Sequence, residues 1–252
     1  MDSDSPSRSH LYPPHGLFIT GTDTDVGKTF ICSLIARELI NEQRNIGIYK
    51  PACSGSIKRT DGSAYWQDVE TLAAALEAET SQPLRELICP QCFHAPLAPP
   101  VAADLENREV DEILLRTGLQ NWKNKADFLL VEGVGGLLCP ISNNETIAHL
   151  AGDFKYPLLV VARANLGTIN HTLLTLAAAK QHQLPVAGII LNSTDSATTN
   201  DMIAANIEQI SRFTNVPVLS IANVQQTAYL LSYPKEEKID WSALANTGEG
   251  RA

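Results

Sequence analysis

The chain has 252 residues, of which 44% are hydrophobic and 6% aromatic, and its formal net charge is -9. This length allows one large hydrophobic core or at most two small ones, so a single α/β domain is the simplest prediction. The negative charge disfavours nucleic acid or an anionic membrane as the main partner, and no apolar run is long enough to cross a bilayer. We therefore expect a cytoplasmic protein that binds anions only at a local site.

The two ends of the chain differ in composition from its middle. Residues 1–15 are rich in Ser, Asp and Pro, which predicts a mobile tail. A single folded domain is predicted over residues 16–233. The segment 234–252 is expected to be loosely attached to it.

Between the ends, short apolar runs alternate with segments of helical spacing. The predicted strands are 16–20, 46–50, 128–132, 157–162, 186–192 and 216–220. The predicted helices are 28–41, 68–79, 110–122, 146–154, 168–181 and 198–213. Several strands are apolar at consecutive positions, so this order predicts one doubly wound, mostly parallel sheet with helices on both faces. Residues 83–100, rich in Pro and Cys, are predicted to be a long excursion from the same domain.

The stretch GTDTDVGKT, residues 21–29, follows the first predicted strand and opens the first helix. A helix start directs backbone N–H groups and the positive end of the helix dipole toward an anion. Lys28 would reach the β- and γ-phosphates of a nucleotide, and the Thr29 hydroxyl would ligate Mg²⁺. A P-loop has four residues between its glycines, whereas this loop has five, including the two carboxylates of Asp23 and Asp25.

Three charged residues follow or border other predicted strand ends, where ligands bind in open α/β sheets. Glu132 closes the strand 128–132 and is suited to hold Mg²⁺, or it is a solvated strand terminus. Asp68 heads a helix, where it is either a metal ligand or a cap. Lys50 ends the second strand and, with Lys28, could hold a transferring phosphoryl group and a second anionic reactant.

Two further stretches leave alternatives open. Leu166-Gly-Thr-Ile-Asn170 opens a helix after a strand and offers free N–H groups to a carboxylate, or it carries an ordinary N-cap at Thr168. Cys89-Pro-Gln-Cys92 is a lone CxxC with no second pair and no matching His. Two thiols on a proline-flanked loop therefore explain it better than zinc binding or redox chemistry.

Four of these segments together resemble the dethiobiotin synthetase family, a group of P-loop enzymes. They are GTDTDVGKT, Lys50-Pro-Ala-Cys-Ser-Gly-Ser56, Val131-Glu-Gly-Val-Gly-Gly136 and Leu166-Gly-Thr-Ile-Asn-His171. The resemblance implies an ATP- and Mg²⁺-dependent ligase of biotin biosynthesis. In that family CO₂ and 7,8-diaminononanoate form a carbamate, ATP phosphorylates it, and the neighbouring amine closes the ureido ring with loss of phosphate. A homodimer is also implied.

The resemblance assigns roles by position. It implies ATP contacts from Thr24, Asp25, Val26, Gly27, Lys28, Thr29 and Asn192, of which Asn192 resembles the residue that reads adenine. It implies Mg²⁺ ligands at Thr29, Asp68 and Glu132, and catalytic roles for Lys28 and Lys50. It implies a diamine site at Thr24, Lys50 and Ser54, and a substrate-carboxylate site at Gly167, Thr168, Ile169 and Asn170 that acts across the dimer.

This sequence departs from the family pattern at three places. Asp25 stands where the family usually has Glu, which withdraws the carboxylate by about one methylene, roughly 1.5 Å. Val134 replaces an Ala, and Ser220-Ile-Ala-Asn223 replaces a Gly-x-Ile-Pro segment. Two other functions remain open, a partition-type nucleotide-switch ATPase and another ATP-dependent amide-forming ligase. The first usually has an early loop lysine that is absent near Thr22, and the second joins this domain to a glutaminase domain.

Overall fold

The computed structural model describes residues 13–76, 81–193, 199–224, 227–232 and 237–247, with the backbone alone for 220–224 and 227–232. Of the predicted tail, residues 1–12 lie outside this description. The folded part starts before Gly16, because the first strand begins at His15 and the Tyr156 hydroxyl donates to the Pro13 carbonyl at 2.8 Å.

The described strands belong to one large sheet and two small ones. In chain order they are β1 (His15–Gly21), β2 (Ile46–Tyr49), β3 (Cys53–Ser54), β4 (Ile57–Lys58), β5 (Ala64–Tyr65), β6 (Cys92–Phe93), β7 (Phe128–Gly136), β8 (Leu158–Arg163), β9 (Val186–Asn192), β10 (Val218–Val224) and β11 (Thr227–Ser232). The large sheet has the order β2-β7-β1-β8-β9-β10-β11, and only the β10–β11 pair is antiparallel. The predicted doubly wound, mostly parallel sheet is therefore confirmed.

The helices lie between the strands. In chain order they are α1 (Lys28–Asn41), α2 (Gln67–Ala75), α3 (Gln82–Ile88), α4 (Pro99–Leu105), α5 (Glu112–Thr117), α6 (Ile147–Phe154), α7 (Thr168–Gln181), α8 (Asn200–Ser211) and α9 (Trp241–Ala245). Within the described ranges, none is both long and apolar enough to cross a bilayer. The predicted helix 110–122 is instead α5 followed by a 3-10 helix over Gly118–Trp122. Close to this change of helix type, the Tyr49 hydroxyl donates to the Leu115 carbonyl at 2.8 Å.

The core lies on the sheet, and β7 shows why. Phe128, Leu129, Leu130 and Val131 are all 0% exposed, as expected for a central strand covered on both faces. Its parallel neighbours β1 and β2 are also buried, apart from His15 at the start of β1. Full burial of such side chains contributes about 1.5–3 kcal/mol each, so this run is a main source of stability.

Two regions differ from the sequence prediction. The excursion over residues 83–100 contains most of α3, strand β6 and the start of α4. The segment after Pro234 was expected to be loosely attached, but its described residues 237–247 pack on the core. Trp241 is 1% exposed, and its indole N–H donates to Glu38 Oε2 at 2.9 Å. An aromatic side chain of this size explains the close attachment, because its burial removes a large apolar area from water.

The register of the sheet sets the position of the charged residues. Tyr49 of β2 pairs with Val131 of β7, so Lys50 and Glu132, the next residues of the two strands, lie side by side. Ile19 of β1 pairs with Glu132 on the other side. The loop that follows β1 therefore meets Lys50 and Glu132 at the carboxyl edge of the sheet, where ligands bind in such folds.

Candidate active site

A cavity of about 810 Å³ opens at this edge of the sheet. Nine of the residues singled out from the sequence line it: Thr24, Asp25, Gly27, Lys28, Thr29, Lys50, Ser54, Asp68 and Glu132. Val26, Asn192 and residues 167–170 are not among its lining residues. We call Lys28, Thr29, Lys50 and Glu132 the buried wall of the cavity, and Thr24, Asp25 and Ser54 its open wall.

The loop 21–29 depends on Gly27. This residue precedes α1 with a φ of +94°, and no side chain caps the helix, so the first-turn N–H groups face the cavity region without a side-chain partner. A Cβ added to Gly27 would lie 2.0 Å from Asn192 Nδ2. The same amide donates to the Val26 carbonyl at 2.8 Å. Asn192 thus holds the loop from behind, and only glycine fits between them.

Lys28 points along the loop. Its ammonium group donates to the Asp23 carbonyl at 3.0 Å and is largely buried. Burial lowers the pKa of Lys28, although the nearby Glu132 acts to raise it. The extra residue of the loop lies in the exposed stretch formed by Asp23, Thr24 and Asp25, and Asp25 has a φ of +57°.

Lys50 is the centre of the buried wall. Its ammonium group lies 2.6 Å from Glu132 Oε1 and 2.7 Å from Asp68 Oδ2. Lys50 is 2% exposed and Glu132 is 0% exposed. Burial alone would lower the pKa of Lys50, but Glu132 and Asp68 together raise it well above its ordinary range. Burial would likewise raise the pKa of Asp68, yet Lys50 leaves it lowered. Lys50 and Asp68 are therefore both charged at neutral pH.

The oxygen atoms of this cluster fit a divalent cation. The Thr29 hydroxyl donates to Glu132 Oε1 at 2.7 Å, while the buried Oε2 has no hydrogen-bond partner among the described residues. Hydroxyl and carboxylate oxygens are the ligands that Mg²⁺ prefers. In the described part of the chain, no three His, Cys, Asp or Glu side chains could hold a metal by themselves. A Mg²⁺ ion at Thr29, Asp68 and Glu132 would therefore need oxygens of a bound nucleotide as well.

The structure excludes three of the alternatives that the sequence left open, namely a solvated strand terminus and two helix caps. Glu132 is not a solvated strand terminus, because β7 continues to Gly136 and buries it. Asp68 does not cap α2, whose N-cap residue is Trp66; its carboxylate instead bonds Lys50. Thr168 is not an N-cap, because Gly167 has that position with a φ of +94°.

Several cavity residues had no role assigned to them from the sequence. Cys53, Gly55, Gln67, Pro96, Leu97, Ala98, Val134, Gly135 and Cys139 also line the cavity. The excursion 83–100 supplies three of them. Arg163 was missed as well: its guanidinium donates to the Thr24 carbonyl at 2.8 Å and so holds the open wall. Arg163 is the last residue of β8, so its place at a strand end could be predicted, but its bond to the Thr24 carbonyl could not.

Comparison with known proteins assigns the chain to a family. A family model described as "AAA domain" matches residues 15–230. The ATP-dependent dethiobiotin synthetase BioD of Bacillus subtilis (strain 168) is 38% identical over 237 residues, 92% of this chain and 97% of that protein. The protein of the same name from Anaeromyxobacter dehalogenans (strain 2CP-1) is 42% identical over 200 residues, 79% of this chain and 85% of that protein.

A solved structure supports the fold alone. The signal recognition particle receptor FtsY from Elizabethkingia anophelis superimposes with a TM-score of 0.50 and 13% sequence identity. The match covers 93% of this chain and 65% of that one. At this identity only the arrangement of strands and helices is shared.

Proposed function

The chain belongs to the family of ATP-dependent dethiobiotin synthetases, ligases of biotin biosynthesis, and on this basis we propose how its cavity carries out the reaction. The substrates are 7,8-diaminononanoate, CO₂ and ATP. One amine of the diamine takes up CO₂ and loses a proton to give a carbamate. A carbamate oxygen then receives the γ-phosphoryl group, which leaves ADP. The second amine attacks the carbonyl carbon of this mixed anhydride, loses a proton and expels phosphate as the ring closes.

One observation supports this proposal most directly: two buried ammonium groups and two carboxylates face one cavity beside the phosphate loop. Lys28 holds the β- and γ-phosphates of ATP, and Lys50 holds the carbamate and the transferring phosphoryl group. Both cations are positioned before the reaction, so they stabilise developing negative charge with little reorganisation. Thr29, Asp68 and Glu132 would hold Mg²⁺, which when bound neutralises phosphate charge.

The thiols at the cavity favour this direct transfer over covalent catalysis. Cys53 and Cys139 line the cavity. Burial raises the pKa of Cys53 to about 12 and also raises the pKa of Cys139. Because a thiolate rather than a thiol is the nucleophile, both are poorly suited to attack phosphorus or carbon at neutral pH.

The open wall is the proposed diamine site. Thr24 and Asp25 are exposed at the mouth of the cavity, and Ser54 is half-buried beside Lys50. A free diamine is cationic before it reacts, so a carboxylate at Asp25 is complementary to it. The extra loop residue makes room for this second substrate. The backbone N–H groups of residues 25–29 remain for the phosphates of ATP, whereas the Thr24 N–H donates to Asp23 Oδ1 at 2.7 Å.

A homodimer completes the proposed substrate site. Residues 167–170 do not line the cavity of their own chain, yet they open α7 with no side-chain cap. The Thr168 hydroxyl is buried and bonds no residue in the described ranges. Leu166 beside it is 99% exposed, and Leu174 of the same helix is 60% exposed. We therefore infer that a second copy covers these leucines and that residues 167–170 bind the substrate carboxylate across the interface.

Two further roles remain proposals. Asn192 is a candidate adenine contact in addition to its bond with the loop, because it ends β9 directly behind the phosphate site. A cytoplasmic location agrees with the five free cysteines of the chain, since reduced thiols are typical of that compartment.

The test is a measurement of ADP release by the purified protein. We expect release that requires both the diamine and bicarbonate, together with ATP and Mg²⁺. Ring closure is followed in parallel by mass spectrometry of the product. ATP hydrolysis at the same rate with either substrate omitted would refute the proposal.

A further inference from the structure

The motif Cys89-Pro-Gln-Cys92 has no part in the proposed function, yet its two sulfur atoms lie 3.6 Å apart. Cys89 is the C-cap residue of α3, and Cys92 opens β6. Both are free thiols. The sulfur atoms of a disulfide are about 2.05 Å apart, so a local movement would join them. We propose that low-molecular-weight disulfides oxidise Cys89 and Cys92 reversibly to a disulfide, and that this oxidation lowers turnover by displacing the segment 50–56.

Small molecules can reach this pair from outside the active site. A second cavity, of about 430 Å³, is lined by both cysteines together with Pro90, Trp66 and Tyr65. Cys89 is 4% exposed, whereas Cys92 is half-buried. Cys92 is therefore the sulfur that meets the oxidant, and Cys89 is the one that resolves the first product.

The chemistry of the two thiols agrees with this order. The hydrogen bond between the two sulfur atoms lowers the pKa of Cys92 against the effect of burial, and Lys50 and Arg108 act in the same direction. Burial raises the pKa of Cys89 well above its ordinary range. The Cys92 thiolate attacks one sulfur of the external disulfide and releases the first small thiol. Cys89 then loses its proton, attacks the Cys92 sulfur and releases the second. Two protein thiols are oxidised and one external disulfide is reduced to two thiols.

The dithiol segment is bonded directly to the segment that carries Lys50. The Lys50 N–H donates to the Ile88 carbonyl at 2.7 Å, and the Cys53 N–H donates to the Gln91 carbonyl at 2.9 Å. Cys53 and Cys92 are also partners in the β3–β6 pair. A movement that closes the disulfide therefore acts on the backbone of both Lys50 and Ser54.

A second connection leads to Asp68. The Trp66 indole N–H donates to the Phe93 carbonyl at 2.8 Å, one residue after Cys92. Trp66 is the N-cap of α2, and Asp68 lies in the first turn of that helix. Both partners of the Lys50–Asp68 ion pair thus depend on the segment 88–93. Misplacement by about 1 Å can cost about 100-fold in rate.

The experiment uses the whole chain in mixtures of reduced and oxidised glutathione. We expect the wild type to lose two thiols without retaining glutathione, and peptide mapping to join Cys89 to Cys92. ADP release in the presence of all substrates should fall by at least about fivefold and return after dithiothreitol. Cys92→Ser should form no disulfide and keep the same turnover in every mixture. Cys139→Ser is the matched control, because it removes a thiol outside the pair and should still lose two thiols.

Three results would overturn the inference: no disulfide in oxidised glutathione, a stable glutathione adduct, or a link between Cys53 and Cys92. If the Cys89–Cys92 disulfide forms but turnover falls by less than about fivefold, the proposed displacement of the segment 50–56 would be wrong. If Cys92→Ser does not fold, Cys89→Ala takes its place: it should form no disulfide and keep the same turnover in every mixture. The redox titration of the wild type then shows whether turnover falls as the disulfide forms. Thiol loss and peptide mapping do not depend on the reaction that the protein catalyses. Failure of the redox proposal can therefore be distinguished from failure of the proposed function.

Discussion

The two walls of the cavity differ in how their polar groups are held. On the buried wall, Lys50 and Glu132 are 2% and 0% exposed and are bonded to each other. On the open wall, Thr24 and Asp25 are exposed. The Arg163 guanidinium, which lies outside the loop, holds them through its hydrogen bond to the Thr24 carbonyl. Groups that stabilise a transferring charge act best when fixed and desolvated, whereas a second substrate must enter from solvent. Substitutions on the buried wall should therefore change stability and rate, and those on the open wall mainly substrate affinity.

The strongest test of the buried wall is Lys50→Met. The substitution keeps an unbranched side chain one atom shorter than lysine but leaves Glu132 as a buried carboxylate without its cationic partner. We expect the free energy of unfolding to fall by about 3–5 kcal/mol, measured by urea denaturation. We expect turnover to fall by at least about 100-fold with little change in nucleotide affinity, because the proposed role of Lys50 is to hold the transferring group.

The matched control for this substitution is the double variant Lys50→Met/Glu132→Gln. It removes both charges, so most of the lost stability should return while turnover stays low. If the double variant is no more stable than Lys50→Met, the cost does not arise from an unpaired buried charge. If Lys50→Met turns over like the wild type, Lys50 has no part in the chemistry.

Much of the sheet could be predicted because runs of consecutive apolar residues identify its buried strands. The run 128–132 is apolar at consecutive positions, and the structure covers it on both faces. The antiparallel edge strand β11 and the helix α9 were not predicted. An edge strand and a five-residue helix depend on the surface they pack against more than on their own periodicity.

The support of the phosphate loop is tested by Gly27→Ala. An added Cβ meets the Asn192 amide at 2.0 Å, and a φ of +94° is unfavourable for alanine. We expect a loss of about 2 kcal/mol in the free energy of unfolding and a marked loss of ATP affinity, measured by calorimetry. The double variant with Asn192→Ala should recover the part of the cost due to the clash. No recovery would mean that backbone strain alone is responsible.

Which residues line the cavity was predictable where a residue type has a defined chemical use, and less so where a residue acts through a contact. Lys28 and Thr29 could be assigned from their order after glycine, and both line the cavity. Arg163 acts through a backbone carbonyl 139 positions away in the chain, which no local pattern encodes. The resemblance gave Asn192 a role toward adenine, but its bond to the Val26 carbonyl became visible only in the structure.

The ion pair between Asp68 and Lys50 is tested by Asp68→Asn as a function of pH. The pKa of Asp68 is lowered in the folded state because Lys50 outweighs burial. Its carboxylate therefore adds stability above its unfolded pKa, about 3.9, and loses this contribution as pH falls through the folded value. Since the side chain is 44% exposed, solvent screening limits the effect to about 1 kcal/mol. Urea denaturation at pH 7 should give this difference, which should vanish at low pH. A difference independent of pH would contradict the ion pair as its cause.

The smallest effect on stability is expected for Arg163→Ala on the open wall. The variant loses one partly exposed, charge-assisted bond to the Thr24 carbonyl, so stability should stay within about 0.5 kcal/mol of the wild type. Because that bond orders the proposed diamine site, the KM for the diamine should rise by about fivefold, equivalent to about 1 kcal/mol. The KM for ATP should change much less, since Lys28 and Gly27 remain in place. Arg212→Ala, which breaks only a surface pair with Glu208, is the matched control and should leave both KM values unchanged. An equal rise in both KM values for Arg163→Ala would show that the two walls are not independent.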